Sequence, residues 1–158
     1  MRTQFRIGNR KAFGVVCKPE TNSRMAGHTH RAIHLEKPNT AKTGSILKDN
    51  NVEYILISDR TIPGHDIFIG LVVNTQLQIS DMVEVKNDIT KRTHKVLSPV
   101  RTSIPACREL TTVVSDKGFE VPVTRYYIAG EISPEAVVNN KNIKNIEYAL
   151  GISNFEVV

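Results

Sequence analysis

Between Val52 and Ile128 the sequence repeats one pattern: a short run rich in β-branched and aromatic residues, then a cluster of turn formers, with no helical spacing of apolar residues in between. Val52-Glu53-Tyr54-Ile55-Leu56-Ile57 follows the turn cluster Asp49-Asn50-Asn51, and a second run extends from Ile67 to Val73. Met82-Val83-Glu84-Val85-Lys86 alternates apolar and polar residues, Asn87-Asp88 supplies a turn, and Thr93-His94-Lys95-Val96-Leu97 returns, which reads as a hairpin. Glu109 to Val114 and Val121 to Ile128 form a further pair around Asp116-Lys117-Gly118, whose glycine can take positive φ. Roughly five to seven short strands separated by turns favour antiparallel pairing in a barrel or sandwich and exclude a parallel α/β fold. The expected class is mainly β: a small antiparallel β-barrel or sandwich with a long loop, a basic N-terminal arm and a short C-terminal extension.

The flanks read differently from the middle, giving three expected parts: a basic arm over residues 1–44, a barrel core over 45–128 and an extension over 129–158. In the arm only Phe13 to Val16 and the Ile33/Leu35 alternation resemble strands. In the extension, Ser133-Pro134-Glu135 has the order of an N-cap, a first-turn proline and an early acid. Ile143, Ile146 and Leu150 then recur at helical spacing before Gly151, so a short helix or strand is expected there. With 158 residues and 40% apolar content, one modest core is expected and a second independent one is not.

Charge is distributed unevenly. Residues 1–44 hold nine Lys or Arg against Glu20 and Glu36, whereas the remaining 114 hold twelve basic and fourteen acidic residues, so the whole excess of +5 belongs to the first segment. That asymmetry points to a polyanion or an acidic partner face, with Arg2, Arg6, Arg10, Lys11, Arg24 and Arg31 as the DNA- or partner-contacting residues. No apolar run of about eighteen residues is present, and charged Arg2 and Arg6 open the chain, so neither a membrane span nor a secretory leader is expected. Cys17 and Cys107 are expected to be reduced and structural, in keeping with synthesis in the cytoplasm.

Tests for chemistry find no active-site constellation. His28, His30 and His34 lack a consistent metal-ligand spacing and read as polar residues of the arm; His65 and His94 stand alone. Asp59 and Asp66 flank a Pro-Gly turn, where carboxylates usually cap the backbone. Nucleophile elbows, glycine-rich phosphate loops and dinucleotide fingerprints are missing. The expectation is a protein that is not an enzyme, with no metal, no cofactor and no small-molecule substrate. Aromatics are 6% of the chain without tryptophan, so stacking platforms for bases are poorly supplied, although contact with phosphates needs only positive charge.

The order of parts over residues 45–128 resembles the small β-barrel head-closure proteins, or stoppers, of tailed bacteriophages. The resemblance lies in a loop ending in Ile62-Pro63-Gly64-His65, the strand Ile67-Phe68-Ile69, then Ile79-Ser80-Asp81-Met82-Val83-Glu84-Val85 leading into Lys91-Arg92-Thr93-His94-Lys95-Val96-Leu97, and Cys107-Arg108-Glu109-Leu110. The N-terminal segment and the tail beyond Ser133 lie outside it. What it implies is a homo-oligomeric ring in the virion neck between the portal-adaptor complex and the tail. The loop Arg60, Thr61, Ile62, Pro63, Gly64, His65 and Asp66 would then reach into the channel to retain packaged double-stranded DNA. Other readings are an oligonucleotide-binding barrel clamped by residues 1–44, and another tail part such as a terminator or baseplate protein.

Overall fold

The computed structural model describes residues 1–17 and 30–158. Over these residues the chain forms fourteen strands and no helix: β1 (Thr3–Ile7), β2 (Arg10–Cys17), β3 (His30–Glu36), β4 (Ile46–Asp49), β5 (Val52–Ile62), β6 (His65–Val72), β7 (Thr75–Ser80), β8 (Met82–Lys86), β9 (Thr93–Leu97), β10 (Arg101–Val114), β11 (Glu120–Ala129), β12 (Val137–Val138), β13 (Lys141–Ala149) and β14 (Ile152–Val157). Every strand pair is antiparallel. The mainly β, antiparallel barrel class expected from the strand-and-turn pattern is therefore the class observed.

The chain builds two closed barrels rather than one. The first has the order β1-β2-β3-β6-β5-β4, and it closes where β1 pairs with β4 through Arg6↔Lys48 and Ile7↔Leu47. The second has the order β10-β11-β14-β13-β12-β7, closed by β12 pairing with β7 through Val137↔Ser80 and Val138↔Ile79. The hairpin β8-β9 belongs to neither and leaves the second barrel between β7 and β10.

Each barrel has its own interior. Phe5, Ala12, Ile33, Leu35, Leu47, Tyr54, Leu56 and Phe68 fill the first. Leu77, Ile79, Ala106, Ile128, Ile132, Ala136, Val138, Ile143 and Phe155 fill the second. A third cluster of Ile55, Ile57, Leu71, Cys107 and Ile152 joins the two barrels. Because side chains alternate across a strand, β5 sends Tyr54 and Leu56 inward and Ile55 and Ile57 into this junction, which explains its unbroken apolar run. The expectation of a single core is corrected accordingly.

The expected three-part division is also corrected. Residues 1–44 are not an arm: their described portion supplies three strands of the first barrel, and the break between barrels falls at Val73 and Asn74. Gly14 interrupts the alternation of β2 where that strand packs closely on β3, and Gly70 on β6 makes a similar close approach to β3. A Cβ on Gly14 would sit 2.0 Å from the His34 carbonyl oxygen, and one on Gly70 would sit 2.4 Å from Ile33 Cδ1.

Residues 129–158 take the strand rather than the helix of the two expected forms, and β12, β13 and β14 complete the second barrel instead of extending from it. The asparagines decide this. Asn139 and Asn140 both have positive φ, at 50° and 62°, and make the two-residue turn between β12 and β13. Leu150 and Gly151, at 53° and 76°, do the same between β13 and β14. Ser133-Pro134-Glu135 makes a single turn, with the Ala136 N–H donating to the Ser133 carbonyl at 3.1 Å. The Ser133 hydroxyl and N–H instead donate to Asp81 Oδ1, at 2.6 and 3.3 Å.

Candidate functional site

The segment Arg60 to Asp66 is a hairpin tip rather than a long loop. β5 runs to Ile62 and β6 starts at His65, leaving only Pro63 and Gly64 between them, with Gly64 at φ 81°. The tip is anchored to the segment that follows β3. The Lys37 N–H donates to the Gly64 carbonyl at 3.0 Å, and Asn39 Nδ2 donates to Asp66 Oδ2 at 2.9 Å. Thr61 Oγ1 donates to Asp66 Oδ1 at 2.9 Å, and Lys37 Nζ lies 3.8 Å from the same oxygen. These donors, Asn39 first, hold the Asp66 carboxyl below its usual range by stabilising its charged form. Asp66 thus braces the hairpin through side-chain donors rather than by capping its backbone, and the strand pairs Ile62↔His65 and Glu36↔His65 continue to the end of the hairpin.

The basic residues separate into different settings. Arg2 Nε donates to Glu36 Oε2 at 2.6 Å, and its guanidinium lies 4.1 Å over the Phe13 ring. That contact lowers the Glu36 carboxyl. Arg31 donates to the His30 carbonyl at 2.7 Å. Arg10 pairs across from Ile7 beside the β1-β2 turn and, with Lys11, borders a shallow depression that also touches Asn9, Pro38, Asn39 and Thr40. Arg6 and Lys11 stand directly opposite one another, with Lys48 on the other side of Arg6. Arg24 and His28 lie outside the described residues.

His30 and His34 both sit on β3, on the same side of that strand but in different surroundings. His30 is buried opposite Leu71, and burial pulls its pKa below the ordinary value, with Arg31 acting in the same direction and Glu109 opposing. His34 pairs with Val15 and Ile67. His65 is in the hairpin above, and His94 is exposed on β9. Cys17 and Cys107 are separate thiols, the second buried in the junction between barrels.

The surface that sequence reasoning did not single out is made by two projecting ribbons. In β8-β9 every residue but Met82 is exposed, although pairing places Val83 against Val96 and Val85 against His94 on one face. Asn87 holds the tip, its Oδ1 accepting from the Ile89 and Thr90 N–H groups at 2.9 and 3.1 Å. The second ribbon is the far half of β10-β11, beyond the point where β7 and β14 stop pairing with it. It leaves Leu110 74% exposed, Val114 72% and Phe119 67%. Alternation of Val83, Val85 and Val96 was visible in the sequence; that no barrel covers it was not.

Comparison of the chain with protein-family models, with curated proteins and with solved structures returned no match.

Proposed function

We propose that this chain is a structural component of a virion neck, a head-closure subunit that joins the portal-adaptor complex to the tail of a bacteriophage as part of a homo-oligomeric ring. The observation that carries this reading is the β8-β9 ribbon, a two-stranded sheet exposed on both faces with Val83, Val85 and Val96 aligned on one of them. An isolated two-stranded ribbon is marginally stable in water, and a valine face with nothing over it gains from being covered by a partner. The β10-β11 ribbon adds a second exposed apolar surface through Leu110, Val114 and Phe119. Two such projections on one small body suit contacts to different neighbours, as a ring subunit between two larger assemblies requires.

In this reading the tip formed by Arg60, Thr61, Ile62, Pro63, Gly64, His65 and Asp66 acts as a rigid tooth. Its bonds to Lys37 and Asn39 tie it to the first barrel, so it retains DNA by where the barrel stands in the ring.

The test is to shorten the β8-β9 ribbon by replacing residues 84–95 with Asn-Gly, which suits a two-residue turn between Val83 and Val96. The shortened chain should fold as the parent does, fail to join rings or virion necks in electron micrographs, and yield heads that lose DNA. Infectious, DNA-filled virions carrying the shortened chain would overturn the proposal. Terminator and baseplate parts are separated from it by labelling the chain on intact particles, where label at the neck is expected and label at the distal tail contradicts it.

A further inference from the structure

The strand register brings three cations side by side across the first barrel. Lys11 on β2 is opposite Arg6 on β1, and Arg6 is opposite Lys48 on β4. Residues opposed in this way share one face, with Cβ atoms about 4.5–5.5 Å apart. The adjoining positions Phe5, Ala12 and Leu47 point into the barrel, so alternation directs all three cations outward, and all three are exposed. Like charges directly opposed in a sheet are destabilising. The row meets one carboxylate, at its end, where Glu53 on β5 is opposite Lys48 with Oε1 3.8 Å from Nζ. Among the described residues neither Arg6 nor Lys11 makes an ion pair.

We infer that Lys11, Arg6 and Lys48 form a contact site for the phosphate backbone of double-stranded DNA. The row lies on the outer wall of a barrel and its side chains are long and exposed, an arrangement that meets a surface of repeated negative charge better than a discrete anion, which needs donors converging around it. At strand spacings of about 4.8 Å, three strands span about 10 Å, and a duplex segment of that length carries about six charges, roughly half of them on the side facing the protein. Of the row's neighbours on this face, Gln4 and Glu53 are polar, while Phe13 is half-buried beneath the Arg2 guanidinium and Ile46 packs against the junction between the barrels, so neither apolar side chain stands free to insert into a lipid surface. The choice of duplex DNA rests on the neck reading; the affinity for phosphates does not. Lys48 lies outside the basic N-terminal segment, and only closure of β1 onto β4 brings it beside Arg6.

The experiment measures binding of the full chain to a fluorescent duplex of arbitrary sequence over a series of salt concentrations, by anisotropy at protein concentrations low enough to keep it monomeric. Three phosphate contacts predict that R6Q/K11Q/K48Q reduces the slope of log K against log salt by about 2.7. A charge-matched control, K86Q/K91Q/K95Q on the β8-β9 ribbon, should leave the slope of the parent. The row variant should melt no lower than the parent, since it removes opposed like charges. An unchanged slope in the row variant, or an equal loss in the control, would sink the inference. So would row-dependent binding to phosphatidylserine vesicles with none to DNA. A chain that binds duplex through the row yet never forms rings leaves this site standing and removes the neck reading; a ring former without duplex binding does the reverse.

Discussion

Asn74 completes the backbone of Arg108 as a strand residue would: its Oδ1 accepts from the Arg108 N–H at 2.7 Å and its Nδ2 donates to the Arg108 carbonyl at 2.9 Å. Asn74 is the residue at which the chain passes from one barrel to the other, and its own N–H donates to the Ala106 carbonyl at 3.1 Å. The side chain therefore extends the β7-β10 pairing by one step and caps the edge of β10 where the projecting ribbon begins.

Replacing Asn74 with Ala removes both side-chain bonds at an exposed edge, and a loss of about 1–2 kcal/mol is expected. Asn74→Asp keeps an acceptor for the N–H but turns an oxygen toward the Arg108 carbonyl, so it should not restore the parent. Chemical denaturation measures the first effect, and faster hydrogen exchange at the Arg108 amide locates it.

Gly14 should tolerate no side chain. The Cβ of Gly14→Ala would meet backbone, the His34 oxygen at 2.0 Å and Leu35 Cα at 3.1 Å, so β2 and β3 would have to part. A cost of at least about 3 kcal/mol is expected, against about 1 kcal/mol for Gly118→Ala, where open space leaves only the strain of φ 81°. Equal melting temperatures for the two variants would contradict the close approach.

Stability should decline on acidification in two stages. His30 has its pKa lowered from 6.5 chiefly by burial, so between that value and its folded pKa the unfolded chain binds the extra proton. Its contribution is full above about pH 6.5 and is lost as the pH falls toward the folded value. Asp66 and Glu36 are also lowered, and what they contribute is present above about pH 4 and lost as the pH falls through their folded values. His30→Gln should flatten the first stage and leave the second. A melting profile of that variant parallel to the parent between about pH 7 and 5 would contradict the assignment.

Leu71 tests how the two barrels depend on each other. It is fully buried in the junction with Ile55, Ile57, Cys107 and Ile152, so Leu71→Ala should cost about 2–5 kcal/mol. Because the cavity opens between the barrels rather than inside one, calorimetry should show the parent's transition divide into two.

The projecting valines should behave in the opposite way. Val83→Thr with Val85→Thr should change the stability of the isolated chain by no more than about 0.5 kcal/mol, since both residues are exposed. A larger loss would mean that the ribbon is already covered within one subunit.

Local sequence determined the strands and most of their turns: Val-Glu-Val-Lys opposite Thr-His-Lys-Val-Leu with Asn87 between them, Pro63-Gly64, and the Asp116-Lys117-Gly118 tip all do what their side chains and backbone freedom require. It determined the mainly β class for the same reason, because alternation with a period of two fits no helix, while the choice of strand over helix beyond Ser133 was left to the tertiary structure. Closure was decided only in three dimensions. Whether β1 ends as an arm or meets β4 depends on pairing Arg6 with Lys48 across more than forty residues, and no local propensity reports that contact. The same long-range pairing made two interiors where composition suggested one, tied the Ile62-His65 tip to Asn39, left Val83 and Val96 with nothing above them, and set Lys11, Arg6 and Lys48 in a row. Period-two alternation tells which side chains share a face, but only the tertiary arrangement tells which face another layer covers.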